Sequence, residues 1–392
     1  EAFSAGATSQ GMDVIRIGLA STDMLYFASG KLGLPGAMFT ASHNPAQYNG
    51  IKLCLSHARP IGKESGLLTI ENFVREGSPI AYRSVGVEKQ RNMLEEYVDH
   101  LLTLVDVSTI RPLKIIVDAG NGMAGHTAPA IFARLNCEVI PMYFELDGSF
   151  PNHEANPLDE STLKDLKQAM IDQKADLGLA FDGDGDRLIA VDENGRVVDG
   201  DRLIALSAID RRDLNTLANN TVVVTVMSNL GFHQAMKQQG INVVTSSVGD
   251  RYVLDAMELG GFVIGGEQSG HIIHRDLATT GDGLLSAIVL AQLVRGRQEN
   301  DGSKFSQLAS SVMHTFPQVL KNVKVAVRPH DVAQLLATEI AAEEAVLGEN
   351  GRVLVRASGT EPLIRVMVEA PTAQMADEVA DRLVAVAVNK CV

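Results

Sequence analysis

Apolar and polar positions follow the same order in three stretches of the chain. Each stretch begins with a short run of mostly apolar, β-branched residues, passes through a polar turn into a helical pattern, and ends with a second short apolar run. A run that is apolar at nearly every position predicts a strand covered on both faces, as in a parallel sheet with helical crossovers. The predicted strand, helix and strand of the three stretches cover residues 14–19, 24–32 and 36–40; 114–118, 128–135 and 139–142; and 221–226, 232–239 and 242–245.

The last part of the chain has a different pattern. Valine or isoleucine alternates with other, mostly charged residues at positions 323–328 and again at 364–369. A period of two predicts an antiparallel sheet with one exposed face. Helical patterns over 331–347 and 373–388 are expected to cover the other face.

The helical pattern over residues 88–105 carries one continuous apolar stripe, which predicts core packing at the end of the first domain. The patterns together predict three α/β domains and a C-terminal domain of antiparallel strands and helices. In open α/β sheets, ligands bind at the carboxyl ends of the strands, so the loops there are the candidates for function. The domains are expected at residues 1–107, 108–206, 207–316 and 317–392.

Composition excludes several classes of protein. Hydrophobic residues make up 45% and charged residues 21% of the chain, which excludes general disorder. A net charge of −14 and the absence of Trp argue against binding to nucleic acid or to an anionic membrane. No apolar run is long enough to span a bilayer. Three widely spaced cysteines argue against a disulfide framework and favour a cytoplasmic protein.

The first loop with candidate chemistry follows the predicted strand 36–40. Ser42 stands beside His43, and Lys52 follows ten residues later. A serine at the end of a buried strand beside proton carriers suits a nucleophile. The alternative is a capped turn, because Ser, Asn and Pro are all turn formers. A hydrolase triad is not supported, since the G-x-S-x-G elbow is missing.

The second loop alternates acidic residues with glycine. Asp182, Asp184 and Asp186 follow the apolar run 177–181 directly, and Arg187 comes next. Glycine allows the tight turns that bring three carboxylates to one point, where a divalent cation relieves their repulsion. Oxygen ligands favour Mg²⁺ over zinc. An EF-hand is not supported, because strand sequence follows the loop, and the alternative interpretation is a solvated acidic turn.

The third loop follows a predicted strand at 261–264. Glu267, Ser269 and His271 are spaced by two, which would place them on one side of an extended segment. Such a row offers donors and acceptors suited to sugar hydroxyls. The alternative is a β-turn whose polar residues have no ligand.

The fourth loop is rich in small residues and flanked by arginines. Arg356 precedes Ser358, Gly359 and Thr360, and Arg365 lies in the strand that follows. Backbone N–H groups, hydroxyls and two guanidiniums suit a phosphate site. The loop is not a Walker A motif, because GK[ST] is missing. The alternative is a hairpin turn with surface arginines.

In this order, the four loops resemble those of the α-D-phosphohexomutase superfamily over nearly the whole chain. The resemblance implies three similar α/β domains with mixed sheets, and a fourth α+β domain of TATA-box-binding-protein-like fold, around a central cleft. It also implies a role for each loop. Ser42 would be the phosphoserine, with His43, Lys52 and Arg187 near the transferred phosphate; Asp182, Asp184 and Asp186 would hold Mg²⁺ together with that phosphate; Glu267 and Ser269 would bind sugar hydroxyls; and Arg356, Ser358, Gly359, Thr360 and Arg365 would bind the other phosphate.

The activity implied by the resemblance interconverts hexose 1-phosphate and hexose 6-phosphate. The phosphoserine donates its phosphate to give a hexose 1,6-bisphosphate, also the expected activator, and then takes back the other phosphate. Lys52 or His43 would carry the hydroxyl proton. The expected partner is a phosphosugar, and the expected assembly is a monomer or a homodimer. Two alternatives remain, a homologue that binds hexose phosphate without turnover and a phosphatase in which water takes the phosphate.

The preferred sugar is predicted less directly. Residues 19–28, 40–42 and 147–154 resemble bacterial phosphomannomutase/phosphoglucomutase, whereas 225–231, 248–253, 279–283 and 352–369 resemble phosphoglucosamine mutase. A natural mosaic or an engineered chimera, with the change between 160 and 182, would explain this, as would a divergent member of the superfamily. The loop expected to contact the sugar lies in the half that resembles phosphoglucosamine mutase, which favours glucosamine phosphate as the substrate. The chain starts Glu-Ala-Phe without the opening strand and phosphate loop of the superfamily, so an incomplete N-terminus is expected.

Overall fold

The described residues of this computed structural model are 1–77, 84–109, 112–325, 331–358 and 362–391. They form two units. The large unit contains Glu1–Met227 and Ile241–Ser311, and the small unit contains Ser228–Gly240 and Val312–Val392. No helix in the described ranges is both long enough and apolar enough to cross a membrane.

Strands form where short apolar or alternating runs occur. In chain order they are β1 (Val14–Arg16), β2 (Gly36–Phe39), β3 (Ile51–Leu55), β4 (Arg59–Pro60), β5 (Glu88–Gln90), β6 (Lys114–Asp118), β7 (Glu138–Met142), β8 (Leu177–Phe181), β9 (Leu188–Val191), β10 (Val197–Val198), β11 (Thr221–Thr225), β12 (Asn242–Ser246), β13 (Ile264–Gly266), β14 (Ile272–His274), β15 (Gln318–Lys324), β16 (Arg352–Ala357) and β17 (Leu363–Glu369).

Helices connect most of these strands. In chain order they are α1 (Ala2–Ser9), α2 (Thr22–Leu32), α3 (Leu68–Glu76), α4 (Leu94–Leu104), α5 (Ala124–Phe132), α6 (Lys164–Gln173), α7 (Gly200–Asp213), α8 (Leu230–Gln238), α9 (Asp250–Gly260), α10 (Gly283–Asp301), α11 (Phe305–Val312), α12 (Val332–Leu335), α13 (Ala337–Leu347) and α14 (Ala373–Cys391).

Two mixed sheets of the large unit carry the second and third predicted stretches. One has the order β10-β9-β8-β6-β7, with β6 parallel to β7 and β8, and β9 antiparallel to β8. The other has the order β12-β11-β13-β14, with β11 parallel to β12. The buried strands β6, β8 and β11 are apolar on both faces, as predicted for strands covered by helices. The parallel pairings of these two stretches are therefore confirmed.

The first stretch differs from its prediction. β1 pairs in parallel with β5, whereas β2 pairs antiparallel with β3, so the two expected neighbours lie in different sheets. The physical reason is burial, since β1 has only three residues and none of them is fully buried. A strand that is open on one face needs no helical cover, and the argument for a parallel crossover does not apply to it.

The helix expected at 88–105 is shorter than predicted. Residues 88–90 form β5, and helix α4 begins only at Leu94. The side chain of Asn92 accepts a hydrogen bond from the Leu94 N–H at 2.9 Å, which favours a turn ahead of the helix. The predicted core role of the stripe is confirmed, because Tyr97, Val98 and Leu101 are buried.

The small unit contains the antiparallel sheet predicted for the end of the chain, in the order β15-β17-β16. Val323, Val355 and Val366 pack in its core with residues of α14. The helix expected at 331–347 is divided into α12 and α13. Positions 326–328, part of the predicted alternation, lie outside the described residues.

The end of the central strand β17 is buried on both faces, so the prediction of an exposed face is wrong there. Glu369 at the end of β17 is fully buried. Its carboxylate accepts hydrogen bonds from the Leu230 N–H at 2.8 Å, from Gln318 at 3.0 Å and from Arg352 at 3.0 Å. These bonds explain how a buried charge is accommodated. They also hold the start of α8 in the small unit.

Candidate active site

The three aspartates of the second loop converge in the connection between β8 and β9. Each offers a carboxylate oxygen, and these atoms lie within 4.8 Å of one another. All three residues are buried. Gly185 adopts φ +80°, a left-handed conformation that glycine tolerates and that closes the turn. The N–H groups of Gly185 and Arg187 donate to Asp182 Oδ1 at 3.1 and 3.2 Å, which fixes the first carboxylate.

The free oxygens of this triad fit a divalent cation. Among the described residues, Asp184 Oδ1 and Asp186 Oδ1 are buried and have no hydrogen-bond partner. Burial raises the pKa of Asp182 well above its usual range, and the charges of Asp184 and Asp186 raise it further. Unsatisfied buried carboxylate oxygens that repel one another are the environment that Mg²⁺ or Ca²⁺ stabilises.

Lys52 faces the triad from β3. Its Nζ lies 2.7 Å from Asp184 Oδ2 and 2.8 Å from Asp186 Oδ2. Burial alone would lower the pKa of Lys52, but the two carboxylates outweigh it and raise the pKa above the ordinary lysine value. The ammonium group therefore carries its charge at neutral pH and places it beside the carboxylates.

Ser42 lies in the loop after β2, next to the same carboxylates. Its Oγ is 3.3 Å from Asp182 Oδ2 and 3.2 Å from His43 Nδ1. Its φ of 55° is in the left-handed region, which is rare for serine and common at functional sites. The Thr40 hydroxyl accepts a hydrogen bond from the Ser42 N–H at 2.8 Å and supports this conformation.

Arg187 lies beside Asp182, the carboxylate next to Ser42, and His43 lies beside Ser42 itself. Arg187 Nε is 3.7 Å from Asp182 Oδ2. Burial lowers the pKa of His43, and the nearby charge of Arg187 lowers it further. The structure thus brings together every residue predicted from the first two loops.

The start of α2 also reaches the triad, which the sequence did not predict. The Thr22 hydroxyl donates to Asp184 Oδ2 at 2.7 Å, and the Thr22 N–H donates to the Asp184 carbonyl at 3.0 Å. Behind it, the Tyr97 hydroxyl lies 2.5 Å from Asp23 Oδ2 and 2.9 Å from Asp282 Oδ2. A sequence signal did exist, since a Ser-Thr-Asp turn opens the predicted helix, but nothing in it pointed to residue 184.

The third loop forms a tight turn, so the predicted extended segment is wrong. The Gly270 N–H donates to the Glu267 carbonyl at 3.0 Å, which closes the connection between β13 and β14. Ser269 Oγ and Glu267 Oε2 are 3.3 Å apart and remain neighbours. His271 does not join this pair but lies beside the aspartate triad, with Nδ1 3.6 Å from Asp186 Oδ1. Burial alone would lower the pKa of His271, but the Asp186 charge raises it.

The fourth loop belongs to the small unit. Arg356 on β16 stands directly opposite Arg365 on β17. Burial lowers the pKa of Arg356, and the charge of Arg365 lowers it further. Two guanidiniums in cross-strand positions repel each other, and an anion between them relieves that repulsion. The Ser358 N–H donates to the Leu363 carbonyl at 2.8 Å. Gly359 and Thr360 lie outside the described residues.

Comparison with known families agrees with this arrangement. The four domain models of phosphoglucomutase/phosphomannomutase match in order, domain I at residues 1–80, domain II at 95–195, domain III at 199–316 and the C-terminal domain at 320–386. A phosphoglucosamine mutase of Frankia alni is 43% identical over 98% of this chain and 84% of its own length. The chain belongs to the α-D-phosphohexomutase family. It is therefore an isomerase that interconverts hexose 1-phosphates and hexose 6-phosphates.

Other phosphohexomutases extend the comparison. A phosphoglucosamine mutase of Thermobifida fusca is 44% identical over 97% of this chain and 84% of its own length. A phosphoglucomutase/phosphomannomutase family protein of Burkholderia thailandensis has a TM-score of 0.81 at 25% identity, covering 99% of this chain and 86% of that one. An N-acetylphosphoglucosamine mutase of Aspergillus fumigatus, solved with GlcNAc-6P and magnesium, has a TM-score of 0.71 at 18% identity, covering 100% and 98%.

These matches confirm the expected fold class of three α/β domains and a C-terminal domain. The relatives named phosphoglucosamine mutase match both halves of the chain, including the half that resembles phosphomannomutase/phosphoglucomutase. The individual site residues and the domain boundaries at 107, 206 and 316 stay predictions.

Proposed function

We propose that this phosphohexomutase interconverts glucosamine 1-phosphate and glucosamine 6-phosphate, with Ser42 as the phosphorylated residue. The observation that carries the mechanism is the position of Ser42 Oγ, 3.3 Å from Asp182 at the edge of the buried triad. Relatives 42–44% identical that bear the name phosphoglucosamine mutase support the choice of sugar.

The residues present fit Mg²⁺. Asp182, Asp184 and Asp186 would hold it with oxygen atoms, together with an oxygen of the phosphate on Ser42. Oδ1 of Asp184 is available without breaking an existing hydrogen bond, whereas Oδ1 of Asp186 faces His271 Nδ1 at 3.6 Å. Bound there, Mg²⁺ neutralises charge on the transferring phosphoryl group.

Phosphoryl transfer from Ser42 needs one bond to break and one to form. A sugar hydroxyl oxygen attacks phosphorus as the P–O bond to Ser42 Oγ breaks, and the hydroxyl proton passes by way of His43 to Ser42 Oγ. The product is a hexose 1,6-bisphosphate. Transfer of its other phosphate back to Ser42 Oγ gives the isomeric monophosphate and restores the phosphoserine. Most of the rate enhancement comes from positioning and charge, since little covalent chemistry falls to the protein.

Two sets of distances support different roles for His43 and Lys52, the two proton carriers that the sequence left open. His43 Nδ1 is 3.2 Å from Ser42 Oγ and can exchange a proton with that oxygen as the phosphate leaves and returns. Lys52 is held by two carboxylates at 2.7 and 2.8 Å and supplies positive charge beside the transferring group. We assign the proton to His43, and to Lys52 and Arg187 the neutralisation of phosphate charge.

Substrate binding is assigned to the other two loops. Glu267 and Ser269 form a hydrogen-bonded pair that can accept from and donate to sugar hydroxyls. Arg356 and Arg365, with Ser358, Gly359 and Thr360, would bind the phosphate that is not transferred. The bisphosphate also serves as activator, because it can phosphorylate an empty Ser42.

The experiment that tests this function is a coupled assay with Mg²⁺ and catalytic hexose 1,6-bisphosphate. Glucosamine, mannose and glucose phosphates are compared on one preparation, and released inorganic phosphate is measured in parallel. Preference for glucosamine phosphate supports the proposal. Preference for mannose or glucose phosphate overturns the choice of sugar, and phosphate release in place of isomerisation identifies a phosphatase.

A further inference from the structure

Thr22 is a buried polar residue that none of the roles above uses. It is the first residue of α2, far from the aspartates in sequence, and its side chain is almost inaccessible to solvent. It contacts Asp184 twice, through the hydroxyl at 2.7 Å and through the N–H group at 3.0 Å. Its side chain and its backbone therefore both donate hydrogen bonds to Asp184, the central residue of the triad.

The hydroxyl contact decides which oxygen of Asp184 is free. A carboxylate is planar and rotates about one bond, so a hydrogen bond to one oxygen sets the direction of the other. Thr22 holds Oδ2, and Oδ1 is buried without a hydrogen-bond partner among the described residues. Oδ1 is therefore the atom that Asp184 has available for a cation.

Lys52 holds the same oxygen, but with a different consequence. Its Nζ lies 2.7 Å from Asp184 Oδ2 and 3.3 Å from the Thr22 hydroxyl. An ammonium group repels an incoming divalent cation, and its pairing weakens when the cation takes over the carboxylate charge. The neutral Thr22 hydroxyl does not repel a cation. Thr22 can therefore orient Asp184 with the cation bound as well as without it.

Thr22 is itself held in place by the helix that it starts. Ser21 caps α2, accepting a hydrogen bond from the Met24 N–H at 3.4 Å. Asp23 is bonded to the buried Tyr97. A rotation of the Thr22 side chain would leave a buried hydroxyl and a buried carboxylate oxygen with fewer partners, which is costly.

We propose that Thr22 is a positioning residue of the divalent-cation site, which orients Asp184 so that Oδ1 faces the cation. This inference rests on the proposed function only in taking the triad as a cation site. Groups that orient metal ligands contribute roughly 10–100-fold to metal affinity or activity. Thr22 belongs to this class, because it touches the ligand rather than the reacting atoms.

The test compares Thr22→Val, which keeps the shape and removes the hydroxyl, with Thr22→Ser, which keeps the hydroxyl. The readout is binding of Mn²⁺ to the full chain without substrate, followed by electron paramagnetic resonance. Thr221→Val is the matched control, since Thr221 is also buried but bonds to the Asn219 carbonyl. Thr22→Val is expected to bind Mn²⁺ about 10–100-fold more weakly. Thr22→Ser and Thr221→Val are expected to bind it like the parent.

The mutase assay adds a second readout. The activity that Thr22→Val loses at limiting Mg²⁺ is expected to recover largely at high Mg²⁺. Equal Mn²⁺ affinity in Thr22→Val and the parent overturns the proposal, as does equal weakening in Thr22→Ser. If Thr22→Val melts early, Thr22→Ala carries the same prediction. A parent protein that binds Mn²⁺ but does not convert glucosamine phosphate would refute the proposed function and leave the role of Thr22 standing.

Discussion

The backbone carbonyl of Ser42 packs against Gly183 so closely that a Cβ atom at position 183 would lie 2.4 Å from the carbonyl oxygen. The contact joins the serine loop to the loop of the aspartates through backbone atoms alone. A backbone atom cannot move aside as a flexible side chain can. The position of Ser42 therefore depends on residue 183 being glycine, which has no side chain.

Gly183→Ala is therefore expected to reduce turnover strongly while the protein stays folded. The added methyl group displaces Ser42 relative to Asp182, and a displacement of about 1 Å can cost on the order of 100-fold in rate. The measurement is kcat in the mutase assay, with circular dichroism as the check of folding. Gly148→Ala is the control, because a Cβ there meets no atom within 4 Å. Full activity in Gly183→Ala would show that the carbonyl contact does not position Ser42.

Ser42→Ala is expected to abolish isomerisation and leave substrate affinity nearly unchanged. The variant lacks the oxygen that carries the phosphate, but it retains Glu267, Arg356 and Arg365. Intact-protein mass spectrometry should find one phosphoryl group on the parent after treatment with hexose 1,6-bisphosphate and none on the variant. Retained isomerisation in Ser42→Ala would exclude the phosphoserine mechanism.

Asp23→Asn is expected to change how stability depends on pH. Burial raises the pKa of Asp23 well above its usual range, and the charge of Asp282 raises it further. The folded state therefore binds a proton that the unfolded state has released, and this contribution to stability is lost as the pH rises through the folded-state pKa. Asparagine is neutral at every pH and removes the effect.

The measurement for this pair is the melting temperature of Asp23→Asn and of the parent over a pH series starting near the ordinary aspartate range. The stability of the parent relative to the variant should decline as the pH rises. Asp172→Asn, at an exposed position, is the control. An advantage that grows with pH would contradict the buried, protonated carboxyl.

Tyr97→Phe tests the same cluster without changing its charge. Removal of the hydroxyl leaves the buried carboxyls of Asp23 and Asp282 without the bonds of 2.5 and 2.9 Å. The expected loss is about 1–3 kcal/mol in the free energy of unfolding, since buried polar groups lose a partner. Chemical denaturation measures it. A variant as stable as the parent would show that the hydroxyl bonds contribute nothing.

His153→Gln is expected to reduce the stability of the protein most at low pH. His153 Nε2 is 3.2 Å from Asp118. Burial alone would lower the pKa of His153, but the bond and charge of Asp118 raise it above 6.5. The stabilising pair is then fully formed below the unfolded-state pKa and is lost as the pH rises through the folded-state pKa. Melting temperatures at about pH 5.5 and about pH 8.5 measure the difference. A larger cost at the higher pH would reverse the expected sign.

The local pattern of apolar and polar residues predicted well the strands that are buried along their whole length. Strand 114–118 was predicted with the bounds observed, because apolar residues cover both of its faces. The three aspartates were predicted as a cluster, because the glycines between them allow a tight turn. At residues 267–271 the spacing of two favours an extended segment over the alternative of a β-turn, but the turn is what forms, because the glycines at 266 and 270 allow the chain to fold back.

Contacts between distant parts of the chain could not be predicted from a single sequence. Thr22 and Asp184 are 162 residues apart, and Tyr97 and Asp282 are 185 apart. Each residue has an ordinary local role, Thr22 in a helix start and Asp282 as the cap of α10. Their contacts with distant residues depend on which helix N-termini lie next to the loop of the aspartates in the folded chain. The periodicity of the sequence does not show which helices these are.

The bond between the Leu230 N–H and Glu369 has a consequence for synthesis on the ribosome. Leu230 leaves the ribosome well before Glu369, since 139 residues separate them in sequence, or roughly 7 to 28 s at about 5–20 residues per second. During that interval the Leu230 N–H lacks its partner Glu369, whereas the Gly231 N–H is already capped by the neighbouring Asn229 side chain. The small unit therefore completes folding only after β17 has been made, although its first helix is made much earlier.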